Sequence, residues 1–162
     1  MSLRSIRSTE DYLSTIWNLK KENGKKGESS DIKPIRIKDI AEKLNISSPS
    51  VSEYVRKLAK TDKVEVIDRK GVILTEKGEK EAILIVNKHR IIECFLNQIL
   101  EVDLKDAHLQ SHDLEHVMEL ETIDKLFAFI KKNKGCNLDK CPFDEVCISP
   151  NSLNTIARAV ES

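Results

Sequence analysis

The chain has 162 residues, 40% hydrophobic, 33% charged and only 4% aromatic, which fits one or two small globular domains with cores of Ile, Leu and Val. No apolar run reaches the ~18–20 residues of a bilayer span. The opening MSLRSIRSTED lacks an apolar stretch before a small-residue cleavage site, so no membrane partner and no secretory signal are expected and a cytoplasmic location is. The zero net charge conceals an asymmetry: residues 1–75 carry 16 Lys/Arg against 11 Asp/Glu, and residues 76–162 carry 11 against 16. A basic first half points to a polyanionic partner.

In chain order, TEDYLSTIWNLK (9–20) places Leu13, Ile16, Trp17 and Lys20 at helical spacing, with Ser8 as an N-cap and Asp11 three residues on. The Gly-, Lys- and Ser-rich KKENGKKGESSDIKP then reads as a surface loop. Ile37, Ile40, Ala41 and Leu44 mark a short amphipathic helix, and Asn45-Ile46-Ser47 a turn. Ser48 is expected to cap a second helix with Pro49 at its first position and Val51, Val55 and Leu58 buried. Two short strands, Val64–Ile67 and Val72–Leu74, flank a tight Asp-Arg-Lys-Gly turn. Helix, turn, helix and a two-stranded wing form a winged helix-turn-helix.

Such a domain can be merely a packed core, but its polar residues suit the major groove. Ser47, Pro49, Ser50, Ser52, Glu53, Arg56 and Lys57 on or beside the second helix, with Arg69 and Lys70 at the wing tip, are the expected DNA contacts. Cations would hold phosphates and short polar groups would meet base edges of double-stranded DNA.

Thr75 to Leu100 reads as one long helix, and Ile123, Leu126, Phe127 and Ile130 mark another at i, i+3, i+4, i+7. The expected architecture is mainly α: a winged helix-turn-helix domain (1–75), a helical dimerisation and metal-binding domain (76–135), and a cysteine-containing tail (136–162). In that tail Cys136, Cys141 and Cys147 form C-x4-C-x5-C. They read either as unliganded loop thiols or as ligands to zinc or an iron–sulfur cluster, with Cys94, Asp139, Asp144 or a partner subunit's cysteine as a fourth donor. Cys94, inside the long helix, also reads as a small buried hydrophobe.

The chain has four histidines, and three lie in HLQSHDLEHVMEL: His108, His112 and His116, four residues apart, with Glu115 between the last two. On a helix they share a face. The fourth, His89, precedes Glu93 by four. A lone helix histidine is usually a surface or core residue, and a Glu–His pair is often only a solvated ion pair. Four of four at ligand spacing, each near a carboxylate, points to divalent Mn, Fe, Co, Ni or Zn. HDLEH also fits the inverted zinc-peptidase motif H-x-x-E-H, with Glu115 as general base. That alternative leaves the winged helix unused and needs a third downstream ligand. A metal-independent winged-helix regulator is a further alternative.

The segments STEDYLSTIWNL, IAEKLNISSPSVSEYVRKL, GVILTEKG, KHRIIECFL and HDLEHVM, in this order and spacing, resemble the diphtheria-toxin-repressor family of iron- and manganese-dependent transcriptional repressors, from about Ser8 to Ile130. The resemblance implies a homodimeric repressor, not an enzyme, that is activated by Fe(II) or Mn(II) and binds a palindromic operator. It implies a primary metal site of Asp11, His112, Glu115 and His116, and an ancillary site of His89, Glu93 and His108. Longer members also carry an SH3-like domain; the residues after 135 are not expected to form one, so the two-domain form is expected. Iron-type members have sulfur ligands at the positions of Asp11 and His112. Manganese-type members have carboxylates at those of His112 and Ser14, so this donor set is a hybrid.

Overall fold

The computed structural model describes residues 3–25 and 33–133. The elements are α1 (Leu3–Lys25), α2 (Ile37–Leu44), α3 (Ser48–Ala59), β1 (Val64–Ile67), β2 (Gly71–Leu74), α4 (Glu76–Cys94), a π-helical turn (Phe95–Ile99), α5 (Leu104–Leu114) and α6 (Leu120–Lys132). Two compact units divide between Ile83 and Leu84, inside α4. The tail cysteines Cys136, Cys141 and Cys147 lie outside the described residues.

In the first unit the apolar stripes of α1, α2 and α3 meet. Tyr12, Leu13, Ile16 and Trp17 are buried with Ile40, Ala41, Val51, Val55 and Leu58, and Val64 and Val72 close the core from the wing. The helix α1 is longer than the 9–20 expected: it begins at Leu3, where Leu3, Arg4 and Arg7 are good helix formers, and it runs on through residues 21–25, the start of the expected surface loop, where Lys and Glu favour helix as well. Ser8 and Asp11 therefore both lie inside α1 rather than at its start. The turn between α2 and α3 runs through Asn45 in the left-handed region (φ 54), and the cap of α3 is Ser47, one residue earlier than expected. The Ser47 hydroxyl accepts from the Ser50 N–H at 3.3 Å, which satisfies an orphan donor of the first turn.

The wing pairs β1 with β2 antiparallel, Val64 opposite Leu74 and Ile67 opposite Gly71. Ile35 extends it by a bridge to Val72, with N–O distances of 2.8 and 2.9 Å, an addition the loop-like sequence before it did not announce. Gly71 makes this possible: its φ is +132, and a Cβ there would lie 2.1 Å from the Ile35 carbonyl oxygen.

In the second unit Ile91, Ile92, Cys94, Leu96, Ala107, Ile123, Phe127 and Ile130 form one buried cluster. Cys94 thus serves as a small core residue. The expected single helix to Leu100 is interrupted: the α pattern stops at Cys94 and the π turn follows, with the Leu100 N–H reaching the Phe95 carbonyl at 3.2 Å. Glu101 (φ 57) reverses the chain, and the Asn97 side chain donates to the Val102 carbonyl at 2.9 Å, so the wide turn is held by bonds to residues beyond it.

Candidate metal centre and nucleic-acid interface

The second part of α4, the helix α5 and the turn that follows α5 bring all four histidines toward two buried carboxylates. Glu93 is 2% exposed and Glu115 3%. A buried carboxylate is costly unless paired, and here imidazoles supply the partners. His89 stands between them. Its Nδ1 donates to Glu115 Oε2 at 2.6 Å, and its Nε2 lies 3.3 Å from Glu93 Oε2 and 3.1 Å from His108 Nδ1. His108 Nδ1 lies 3.4 Å from Glu93 Oε1. The other oxygen of Glu115 receives His112 Nδ1 at 3.2 Å and His116 Nε2 at 3.4 Å.

The histidine stripe is not one straight helix face. The helix α5 ends at Leu114, Glu115 is its cap, and His116 sits in the following turn, its ring edge-on to that of His112 with centroids 5.4 Å apart. The turn lets Glu115 point inward between imidazoles that a continuing helix would stack along its axis. Ser111, fully buried, was not marked by the sequence: its hydroxyl lies 3.3 Å from His89 Nε2 and donates to the His108 carbonyl at 2.9 Å. It sits one turn after His108, but serine at that spacing carries no ligand signal.

Burial opposes a charge on His89, but hydrogen bonds and charges from Glu115 and Glu93 outweigh it and push its pKa up to about 9. Burial likewise raises the Glu115 pKa, yet His112 and His89 prevail and leave it below the usual carboxylate range. In the absence of an ion this shift favours the protonated imidazole of His89 beside the Glu115 carboxylate. As a donor set it also fits an ion. The 3.1–3.4 Å separations among His89, Glu93 and His108 match the ~3.0–3.4 Å edges of polyhedra built on ~2.0–2.1 Å metal–ligand bonds. Asp11 belongs to the first unit, in the interior of α1; Ser14 donates to its carbonyl at 3.2 Å.

The expected DNA contacts gather on the outer face of α3 and on the wing. Ser47, Pro49, Ser50, Glu53, Arg56 and Lys57 are exposed, and Arg69 and Lys70 stand exposed at the wing tip. Ser52 is only half-buried rather than exposed, because it flanks the stripe of Val51 and Val55. The Ser47 and Ser50 hydroxyls are 2.8 Å apart and engaged in the cap, and Glu53 pairs with Lys57 at 2.8 Å. Among the described residues no helix is long and apolar enough to cross a membrane.

Comparison with known proteins agrees with both halves. Residues 5–72 match the family described as iron dependent repressor, N-terminal DNA binding domain, and residues 75–143 match iron dependent repressor, metal binding and dimerisation domain. An uncharacterized HTH-type transcriptional regulator of Methanocaldococcus jannaschii is 35% identical over 128 residues, covering 79% of this chain and 96% of that protein. The diphtheria toxin repressor of Corynebacterium glutamicum is 33% identical over 121 residues, 75% of this chain and 49% of its own length, so the chain spans about half of such repressors. The solved manganese regulator SloR aligns with a TM-score of 0.62 and 35% identity over 76% of this chain and 53% of its own. The chain belongs to the iron-dependent repressor family, whose members are metal-dependent, DNA-binding transcriptional repressors and not enzymes.

Proposed function

We propose that this chain acts in the cytoplasm as a homodimeric repressor that binds a palindromic duplex operator when charged with Fe(II) or Mn(II). The observation that carries this reading is the convergence of four imidazoles on two buried carboxylates in a chain whose other unit is a winged helix. The proposed ligands are Asp11, His112, Glu115 and His116 at a primary site and His89, Glu93 and His108 at an ancillary one. A bound divalent ion supplies a positive charge that several donors share. Asp11 would tie α1, and with it the reading head, to the second unit, while His112, Glu115 and His116 hold the other end of that tie. Two heads so held fit half-sites about one helical turn apart. A coupling of ~1–3 kcal/mol changes DNA affinity about 5–150-fold, reciprocally with metal affinity.

The mixed imidazole and carboxylate set favours no single first-row ion, so availability selects between iron and manganese. The tail thiols Cys136, Cys141 and Cys147 are proposed on spacing alone to hold zinc or an iron–sulfur cluster apart from the regulatory site. The test is an alanine series at the four primary positions, titrated with Mn(II) and anaerobic Fe(II) while dimer mass is monitored. His116→Ala should stay dimeric yet lose metal-stimulated DNA binding. Wild-type midpoints in all four variants would refute the assignment.

A further inference from the structure

The side chain of Tyr54 joins α3 to α1 in two ways. Its ring stacks on Tyr12 with centroids 4.5 Å apart and planes 20° from parallel. Its hydroxyl is hydrogen-bonded to Thr9 Oγ1 at 2.9 Å. Thr9 and Tyr12 flank Asp11 on α1, all within one turn. On α3, Tyr54 borders the buried stripe of Val51, Val55 and Leu58, and beside it Ser50, Glu53 and Lys57 face outward.

Apart from Trp17, the rest of the helix packing here is aliphatic, and aliphatic contacts lose little when helices slide by a fraction of an ångström. A hydrogen bond is less tolerant: at 2.9 Å it is lost beyond about 3.5 Å, a displacement of roughly 0.6 Å. Stacked rings add a preferred offset. If packing alone were required beside the core, a phenylalanine would do, without a hydroxyl to desolvate. Instead the hydroxyl is engaged by a side chain of α1 two residues from the proposed ligand. The backbone ladder of α1 keeps that turn rigid, so a shift at Asp11 is a shift of Thr9 and Tyr12.

We propose that Tyr54 is a positioning residue, forming with Thr9 and Tyr12 a clasp that carries the position of α1, set at Asp11, to the reading helix α3. This rests on the assignment of Asp11 as a ligand. The clasp does not bind metal and does not read bases; it converts a sub-ångström setting of α1 into the orientation of Ser50, Glu53 and Arg56.

The test uses the full chain and a duplex selected from a random pool by the wild-type protein with Mn(II). DNA affinity is measured in saturating Mn(II) and in chelator, and their ratio is the activation. Mn(II) affinity is measured separately without DNA. Tyr54→Phe keeps the ring and removes the hydroxyl; Tyr54→Leu also removes the stack; circular dichroism and thermal midpoints establish that each is folded. Tyr54→Phe should leave Mn(II) affinity and metal-free DNA affinity unchanged and lower activation about threefold to tenfold, the worth of one hydrogen bond. Tyr54→Leu should lower it further, and adding Thr9→Val to Tyr54→Phe should change nothing more. An equal loss of DNA affinity with and without Mn(II), or an unchanged activation, overturns the clasp. Asp11→Ala separates the two layers: if it abolishes activation while Tyr54→Phe does not lower it, the clasp alone fails. If Asp11→Ala keeps wild-type activation, the ligand assignment fails and takes the clasp with it.

Discussion

In the metal-free protein His89 should hold a proton at neutral pH, and that proton must leave before the ring can ligate an ion. Burial works against the charge, but Glu115 and Glu93 prevail and lift the pKa from 6.5 to about 9. A group with a pKa of about 9 is neutral only ~1% of the time at pH 7, so divalent affinity at His89, Glu93 and His108 should sit ~100-fold below its high-pH limit. Affinity should climb about tenfold per pH unit between about 7 and 9 and then level off. Calorimetric Mn(II) titrations in buffers of different ionisation heat should report about one proton released at pH 7 for each ion bound at His89, Glu93 and His108. In His89→Ala this proton release should disappear. The same shift affects folding. The folded pKa lies above the unfolded value, so its stabilisation is complete below about pH 6.5 and lost as pH rises through about 9. The His89 side chain is 17% exposed, so screening is modest and the contribution is about 3 kcal/mol. A pH-independent Mn(II) affinity with no proton release would refute this reasoning.

Gly78→Ala should destabilise the first unit, although alanine is the better helix former by ~1 kcal/mol, because its Cβ would lie 1.8 Å from the Lys63 carbonyl oxygen; a urea midpoint at or above wild type would contradict this. Ile123, fully buried in the second unit, should cost ~2–5 kcal/mol on change to Ala, read by denaturant unfolding. Arg56→Ala and Lys70→Ala should each weaken DNA binding across sequences and reduce the salt slope by about one, and an unchanged slope would remove them from the phosphate contacts.

The local features were legible in the sequence because local periodicity encodes them. The stripe of Val51, Val55 and Leu58 and the first wing strand appear where spacing placed them, the second strand starts one residue earlier at Gly71, and Pro49 falls in the first turn of α3, one position further in than expected. The pairing of His89 with Glu93 is an i, i+4 fact and was equally visible. What periodicity does not encode is which faces meet. The His89–Glu115 bond spans 26 residues and the Thr9–Tyr54 bond 45, and neither leaves a mark in the spacing of its own helix. Helix ends were shifted for a related reason. The π turn after Cys94 and the cap at Glu115 depend on where the next segment packs, and the hydrophobic pattern runs through both without a break.

Metal-dependent DNA binding by one protein sample is the most direct test of a metal-activated repressor. The purified chain is stripped with chelator and titrated against a labelled duplex carrying its selected half-sites. The titration is repeated after Mn(II), or anaerobic Fe(II), is added back at constant ionic strength. DNA affinity should rise about 5–150-fold with at least one of the two ions, reversed by chelator. Equal affinity in the stripped sample and with either ion would contradict it.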